Sequence, residues 1–257
     1  MSPMPKLSFQ QWALCAACFA LALPVSPQAI VDAPKPVEVL QFGIEWRLVR
    51  AGMARLSRTP QASSTWAGDL HLESAGLVSK LFTVNDDYRV LFDSGYCASS
   101  IHLASQEGSR RRDTTVRFNR QTKKSHYLER DLIKNNVVLE KDLDTTDCVQ
   151  DIIAALLRLR AQKLAPGQSI TFPMSDGKKM VSAKIEAQEK EKVKTPTGEY
   201  QTLRYEAFLF NDVLFRRKAR LYVWLTDDDR KLPVQIRVRL GFPVGTITLQ
   251  LEKIGPS

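Results

Sequence analysis

Apolar and polar residues alternate with a period of two along most of the chain beyond residue 38. Val181, Ala183, Ile185 and Ala187 are separated by Ser182, Lys184 and Glu186. Val234, Ile236, Val238 and Leu240 are separated by Gln235, Arg237 and Arg239, and Ile247, Leu249 and Leu251 by Thr248 and Gln250. A strand turns successive side chains to opposite faces, so the pattern predicts strands with one dry and one wet face. Antiparallel sheets permit that division, whereas parallel strands, covered on both sides, read as continuous apolar runs. The segment from Glu38 to Lys253 divides into about ten or eleven strands of ordinary length.

One segment changes period. Val149, Ile152, Ile153, Leu156 and Leu157 fall at i, i+3, i+4, i+7 and i+8, which places them in one stripe of a helix. Asp147 suits its N-cap with Gln150 three residues on, and Arg158, Arg160 and Lys163 suit the C-terminal end of the dipole. Ala165-Pro166-Gly167 ends the element. A shorter helical turn is expected over residues 76–82, with Leu77, Leu81 and Phe82 packed together. The fold class is therefore mainly β, one antiparallel sheet with one amphipathic helix laid on it, because the stripe needs a sheet to cover. No repeat or low-complexity tract divides residues 38–257, which are read as one domain. Residues 30–37 precede it as an extended linker, in which two prolines remove donors and fix φ.

The N-terminal residues follow different rules. Residues 1–29 carry one charge, Lys6, then the apolar run from Trp12 to Leu23, then Pro24 and small or polar residues. This is the plan of a secretory signal peptide. The run falls short of the roughly 20 apolar residues of a membrane span. Cleavage after Ala22 satisfies the small-residue rule but leaves a short apolar core; cleavage after Ala29 gives a better length. Cys15-Ala16-Ala17-Cys18 has CxxC spacing, but its place inside the targeting segment makes it part of the signal core rather than a redox site. The alternative is a lipid anchor through Cys18, for which Leu14 stands one position too far upstream. The expected location is exported and periplasmic.

Export changes the meaning of the two remaining cysteines, Cys97 and Cys148. In an oxidising compartment they point to a disulfide, with a pair of buried free thiols as the alternative. A metal site does not suit them, since only His102 lies near Cys97 and no histidine lies near Cys148.

Composition excludes a few classes and selects none. With 257 residues, 44% hydrophobic and 25% charged, the chain is neither disordered nor a small disulfide scaffold, and it is long enough to bury a core. The sequence has no GxSxG, GxxxxGK[ST], HExxH or GxGxxG motif, so no catalytic, metal or cofactor residue is assigned. His71, His102 and His126 have no second ligand at a local metal spacing. Asp227-Asp228-Asp229 lies between two strand patterns and reads as a hairpin turn. Removing Lys6 with the leader lowers the formal net charge from +9 to +8. Basic runs at Arg110-Arg111-Arg112, Lys123-Lys124 and Arg216-Arg217-Lys218 make an anionic envelope surface or an acidic protein plausible partners. Export and the lack of a binding motif argue against nucleic acid.

Several segments in order resemble a known family. They are Phe42-Gly43-Ile44-Glu45-Trp46-Arg47 with Ala51-Gly52, and Cys148-Val149-Gln150-Asp151 leading to Leu157-Arg158-Leu159-Arg160. Tyr222-Val223-Trp224-Leu225-Thr226-Asp227-Asp228 and Leu232-Pro233-Val234 follow. Together they resemble the exported bacterial proteins of the DUF3108 family, over about Glu38 to Ile254. Thr195-Pro196-Thr197-Gly198-Glu199-Tyr200 looks like that family's turn between two long strands, and Gly245-Thr246-Ile247-Thr248 like its closing strand. The resemblance implies an architecture and no activity: a strongly curved antiparallel sheet, a half-open barrel with the helix in its concavity, similar to the periplasmic lipoprotein-carrier fold. Such a sheet can hold acyl chains between itself and the helix, but fold alone is a weak warrant for function.

Two functional readings follow, neither enzymatic. In the first the chain binds a hydrophobic or amphiphilic, lipid-like molecule, with Val149, Ile152, Ile153, Leu156 and Leu157 lining the site. In the second it is a structural or interaction component of the envelope, with a solid core and basic contact faces at Arg216-Arg217-Lys218 and Arg237/Arg239. Export is checked by N-terminal sequencing of protein from its own cells. The mature chain is expected to begin near Ile30; an intact Met1 in the cytoplasm would overturn the compartment, and a diacylated Cys18 would make the protein anchored.

Overall fold

The computed structural model describes residues 37–210, 212–241 and 244–255. The leader at 1–29, Cys18 within it, and all of the linker except Val37 lie outside the described residues. Fourteen strands form one antiparallel sheet, more than the ten or eleven expected. The first half runs β1 (Glu38–Trp46), β2 (Val49–Pro60), β3 (Thr65–Ser74), α1 (Gly76–Leu81), β4 (Val84–Asp93), β5 (Ala98–Glu107), β6 (Arg110–Asn119), β7 (Lys124–Asp131) and β8 (Asn136–Asp144). The second runs α2 (Ile152–Arg160), β9 (Ser169–Ser175), β10 (Met180–Thr195), β11 (Gly198–Ala207), β12 (Ala219–Thr226), β13 (Pro233–Leu240) and β14 (Thr246–Gly255). Within each half every strand pairs with its neighbours in sequence; β1 and β14 join the halves at the middle of the sheet. Strand β8 has no fully buried residue and therefore carries no dry face to read.

The sheet is not closed into a barrel by strand pairing. A strap of chain at residues 148–150 spans the gap. The N–H of Ala98, at the start of β5, donates to Val149 O (2.8 Å). On the other side Gln150 N–H donates to Pro173 O (2.9 Å) and Ser175 N–H to Gln150 O (3.0 Å), both on β9. The Cys97–Cys148 disulfide fastens the strap to β5 across 51 residues of sequence. In the chain-entropy model a loop of that length stabilises by about 4 kcal/mol. Beyond the strap, the β9–β10 turn lies against β6 and β7. Gly177 there has φ +86, and a Cβ on it would come within 2.7 Å of Val116 and 2.8 Å of Tyr127. Both the left-handed backbone and the close approach require glycine.

The strap moves the start of the helix. The expected helix began near Val149 with Asp147 as its cap, but residues 149–150 are extended and the cap is Asp151. Its carboxylate accepts from Ile153 N–H (3.1 Å) and Ala154 N–H (2.8 Å) and from the Tyr88 hydroxyl (2.8 Å). Val149 is buried where the strap crosses the core, and so it matched the helical stripe by position without being helical. The helix ends at Arg160, before the expected stop at 165–167.

Helix α2 is wedged between the two halves of the sheet. Ile153, Ala154 and Leu157 pack with Leu40, Phe42 and Val90, while Ala155 and Leu159 pack with Met174, Ile185 and Leu225. Gly68 of β3 makes room, since a Cβ there would lie 2.8 Å from Ile153 Cγ2. The other helix, α1, has no buried residue, and Leu77, Leu81 and Phe82 are exposed instead of packed together. Six residues are too few to turn one face inward while joining two strands at the rim.

At its far end α2 is tied to β1. Arg160 donates to both carboxylate oxygens of Glu38 (2.6 and 2.8 Å) and to Lys231 O (2.9 Å). Burial pushes the Glu38 carboxyl up, but the Arg160 hydrogen bonds and charge, with Arg58 and Arg230, outweigh it and leave the group below its ordinary value. A lowered carboxyl contributes stability that is complete above its unfolded-state value and is lost as pH falls through the folded one. Glu38→Gln is therefore expected to cost about 2 kcal/mol at about pH 7. That difference from wild type should narrow as pH falls below the ordinary carboxylate range, as read by urea denaturation across pH. A penalty independent of pH would contradict the assignment.

Candidate functional site

The concave side holds two adjoining spaces, with Ile152 in the wall of both. The first is a small apolar cavity of about 100 Å³ between the helix and the inner face of β9–β13, lined by Leu156, Met174, Ile185, Leu209 and Ile236 besides Ile152. The second is a mixed cleft of about 400 Å³ between the inner face of β4–β7 and the β9–β10 turn, lined by Tyr88, Leu103, Arg112, Tyr127, Lys178 and Phe215 among others. Their combined size falls within the range of small-molecule sites. Ile152 owes its position to the cap: as the first residue after Asp151 it lies on the side of the helix away from Ile153 and Leu157, and it is 40% exposed.

Local sequence explains the walls. On β6, Arg112, Thr114 and Val116 share a face by strand alternation, and they grade from charged at the mouth to apolar near the Gly177 turn. The far wall is the loop between β11 and β12, folded back on itself by Leu214 N–H and Phe215 N–H donating to Leu209 O (2.8 and 2.7 Å). Lys179 Nζ donates to Asp212 O (2.9 Å) and hooks the loop onto the β9–β10 turn.

Several polar groups of the cleft pair within the chain. Tyr127 donates to Glu129 (2.7 Å), Lys178 lies 3.4 Å from Glu129 and 4.9 Å from the centre of the Tyr127 ring, and Arg112 lies 2.6 Å from Asp131. At the back, burial pushes the Asp151 carboxyl up, against the two backbone N–H groups and the Tyr88 hydroxyl that favour its charge. Burial, followed by the Asp151 charge, raises the Tyr88 hydroxyl well above its ordinary value.

The five stripe residues divide. Ile152 and Leu156 line open space; Ile153 and Leu157 are buried in the packed core, and Val149 belongs to the strap. Sequence reasoning missed the wall residues on β4–β7 and in the 209–215 loop, which reach the site through long-range contacts. Cys97 and Cys148 are bonded and lie outside both spaces. The three histidines pair with carboxylates on neighbouring strands: His71 with Asp87 (2.8 Å), His102 with Asp113 (2.7 Å) and His126 with Asp142 (2.9 Å). Among the described residues no group of three or more His, Cys, Asp or Glu is placed to hold a metal ion. Asp228 turns the β12–β13 hairpin, accepting from Thr226 Oγ1 (2.6 Å) and Lys231 N–H (3.0 Å).

The sequence profile of DUF3108, described as a protein of unknown function, matches residues 41–252. The chain belongs to the DUF3108 family. No curated protein matches it. Among solved structures, this DUF3108 chain is similar to a beta-barrel-like protein of the domain of unknown function DUF1849 from Brucella abortus. The two share 10% identity and a TM-score of 0.57, over 87% of this chain and 98% of that one, which is a likeness of fold alone. A DUF1089 family protein from Pseudomonas aeruginosa aligns with a TM-score of 0.38 and 13% identity, over 74% of this chain and 90% of its own.

The division of the stripe has a measurable counterpart. Leu157→Ala, in the packed core, is expected to cost about 2–5 kcal/mol in chemical denaturation. Ile152→Ala, with little burial to lose, should cost about 1 kcal/mol or less. Equal penalties would contradict the assignment of Ile152 to open space.

Proposed function

We propose that this DUF3108 chain is a non-enzymatic binding module for a hydrophobic or amphiphilic, lipid-like molecule, acting after export to the envelope. The observation that carries the reading is Ile152, an exposed apolar side chain between an apolar cavity and a cleft that becomes polar toward its mouth. An amphiphile matches that gradient, its apolar part against Ile152 and Leu156 and its polar end near Arg112 and Lys178. A cavity lined by apolar side chains holds water poorly, so filling it with methylenes is favourable. The engagement of Glu129, Arg112 and Lys178 with partners inside the chain favours binding over chemistry, since catalysis needs a group free to exchange a proton or attack.

The test is chemical denaturation of wild type and of Ile152→Asp, each with and without added envelope lipid extract. Aspartate is tolerated in the first turn of a helix, so the variant is expected to fold. Lipid should raise the wild-type midpoint, by about 2.7 kcal/mol at a hundredfold excess over Kd, and leave the variant unmoved. Native mass spectrometry of protein from its own envelope fraction should show a co-purifying mass. A clean apo mass with no lipid-dependent shift in either protein would eliminate the binding reading and leave that of an interaction component with a solid core.

A further inference from the structure

The convex face carries a second concavity, independent of the cleft and its occupant. It is a groove of about 420 Å³ formed by β13, β14 and the β1–β2 turn, lined by Glu45, Arg47, Arg237, Arg239, Thr246 and Thr248. Strand register builds it from two rows. Arg237 stands opposite Thr248, which stands opposite Glu45; Arg239 stands opposite Thr246, whose carbonyl accepts from Arg47 N–H (3.2 Å). Because β13 alternates, these arginines point away from Ile236, which lines the apolar cavity on the other face.

Arginines outnumber carboxylates in the groove, with Arg47, Arg237 and Arg239 facing one carboxylate, Glu45. Arg220 stands directly opposite Arg239, and Arg237 and Arg239 are two residues apart on one face. Like charges so placed destabilise a sheet. Of the nearby carboxylates, Glu189 and Glu191 pair with Arg204 (2.7 and 3.3 Å) and Glu206 with Arg220 (2.7 Å), while Glu45 lines the groove itself, on the strand beyond Thr248. Neither Arg237 nor Arg239 forms an ion pair with a described carboxylate. Each is held instead over an aromatic ring, Arg237 5.0 Å from the Trp224 centroid and Arg239 5.4 Å from that of Tyr222. Both rings are buried. Stacking of this kind fixes the plane of a guanidinium while leaving its N–H groups available to a ligand. Arg47 lies 5.5 Å from the Trp46 ring centroid and donates to Val244 O (3.2 Å). Burial lowers Arg237 from its ordinary value, and the charges of Arg239 and Arg204 add to this against the opposing charge of Glu191.

We propose that the Arg237/Arg239 groove binds a phosphate group. Guanidinium forks bind phosphate oxygens in pairs, and the two threonine hydroxyls of the floor add donors of the right kind. A free phosphate ester and the headgroup of an anionic lipid present the same chemistry. Titration calorimetry at low ionic strength with inorganic phosphate and glycerol 3-phosphate reads the first source. Co-sedimentation with phosphatidylcholine vesicles, with and without phosphatidylglycerol, reads the second. Wild type is expected to bind the soluble probes or the phosphatidylglycerol vesicles, more weakly as salt rises. The double variant Arg237→Gln/Arg239→Gln should bind roughly tenfold more weakly or worse. Arg239→Gln alone, at an exposed position, keeps the test valid if the double variant does not fold, and should bind several-fold more weakly. Ile152→Asp should bind the phosphate probes as wild type does, which separates this site from the cleft. Failure of every probe to bind wild type, or unchanged binding in the arginine variants, would overturn the proposal.

Discussion

The architecture depends on the strap at residues 148–150. A long twisted sheet buries its inner face only if its two wings are drawn together, and strand pairing does not draw them together here. Val149 and Gln150 do so by sharing their backbone groups between β5 and β9. Each such hydrogen bond is worth only about 1 kcal/mol net. Their effect is larger than that sum, because they define where the apolar interior begins and where the helix starts. The disulfide keeps this arrangement from being merely transient, since β5 and the strap are far apart in sequence.

Held by the strap at one end and by Glu38 at the other, α2 serves as both filler and wall. Its two buried sides complete the packing of the two halves of the sheet, and Ile152 and Leu156 remain beside space that neither half fills. The same strands meet different demands on their other face. On β13 the inward Ile236 borders an apolar cavity, while its neighbour Arg237 lies over an indole in a wet groove. Alternation with a period of two thus lets one thin sheet carry two chemically opposite surfaces without a second layer throughout.

Much of this was legible in the sequence wherever a residue's surroundings follow from its neighbours in the chain. Strand β10 alternates cleanly because Ala183, Ile185 and Ala187 share its one covered face. The β12–β13 turn could be placed because Asp228 supplies its own hydrogen bonds. Legibility failed where distant contacts decide. Val149 satisfies a helical stripe and a buried strap equally well, and only the bonds to Ala98 and Pro173 distinguish the two. Strand β8 has no buried residue, and so no dry face to leave a pattern. The cleft walls required knowing that a loop near residue 214 meets strands near residue 103. Arg237 and Arg239 were visible as a basic face, but the rings beneath them depend on the register of β12 against β13.

The pairing of β1 with β14 bears on how such a chain reaches its native state. On either side of that pair the sheet is a plain succession of neighbouring strands, each closing a short loop on the last, so both wings are local structures of low contact order. The seam between Val39 and Gly255 is of the opposite kind, joining positions separated by most of the sequence. Because the entropy of closing so large a loop must be met before any contact across it repays the cost, the seam is the natural late event. Until it forms, β1 and β14 both present unpaired edges in the middle of what will become the sheet. Those edges are where a half-assembled molecule is most exposed to pairing with another chain.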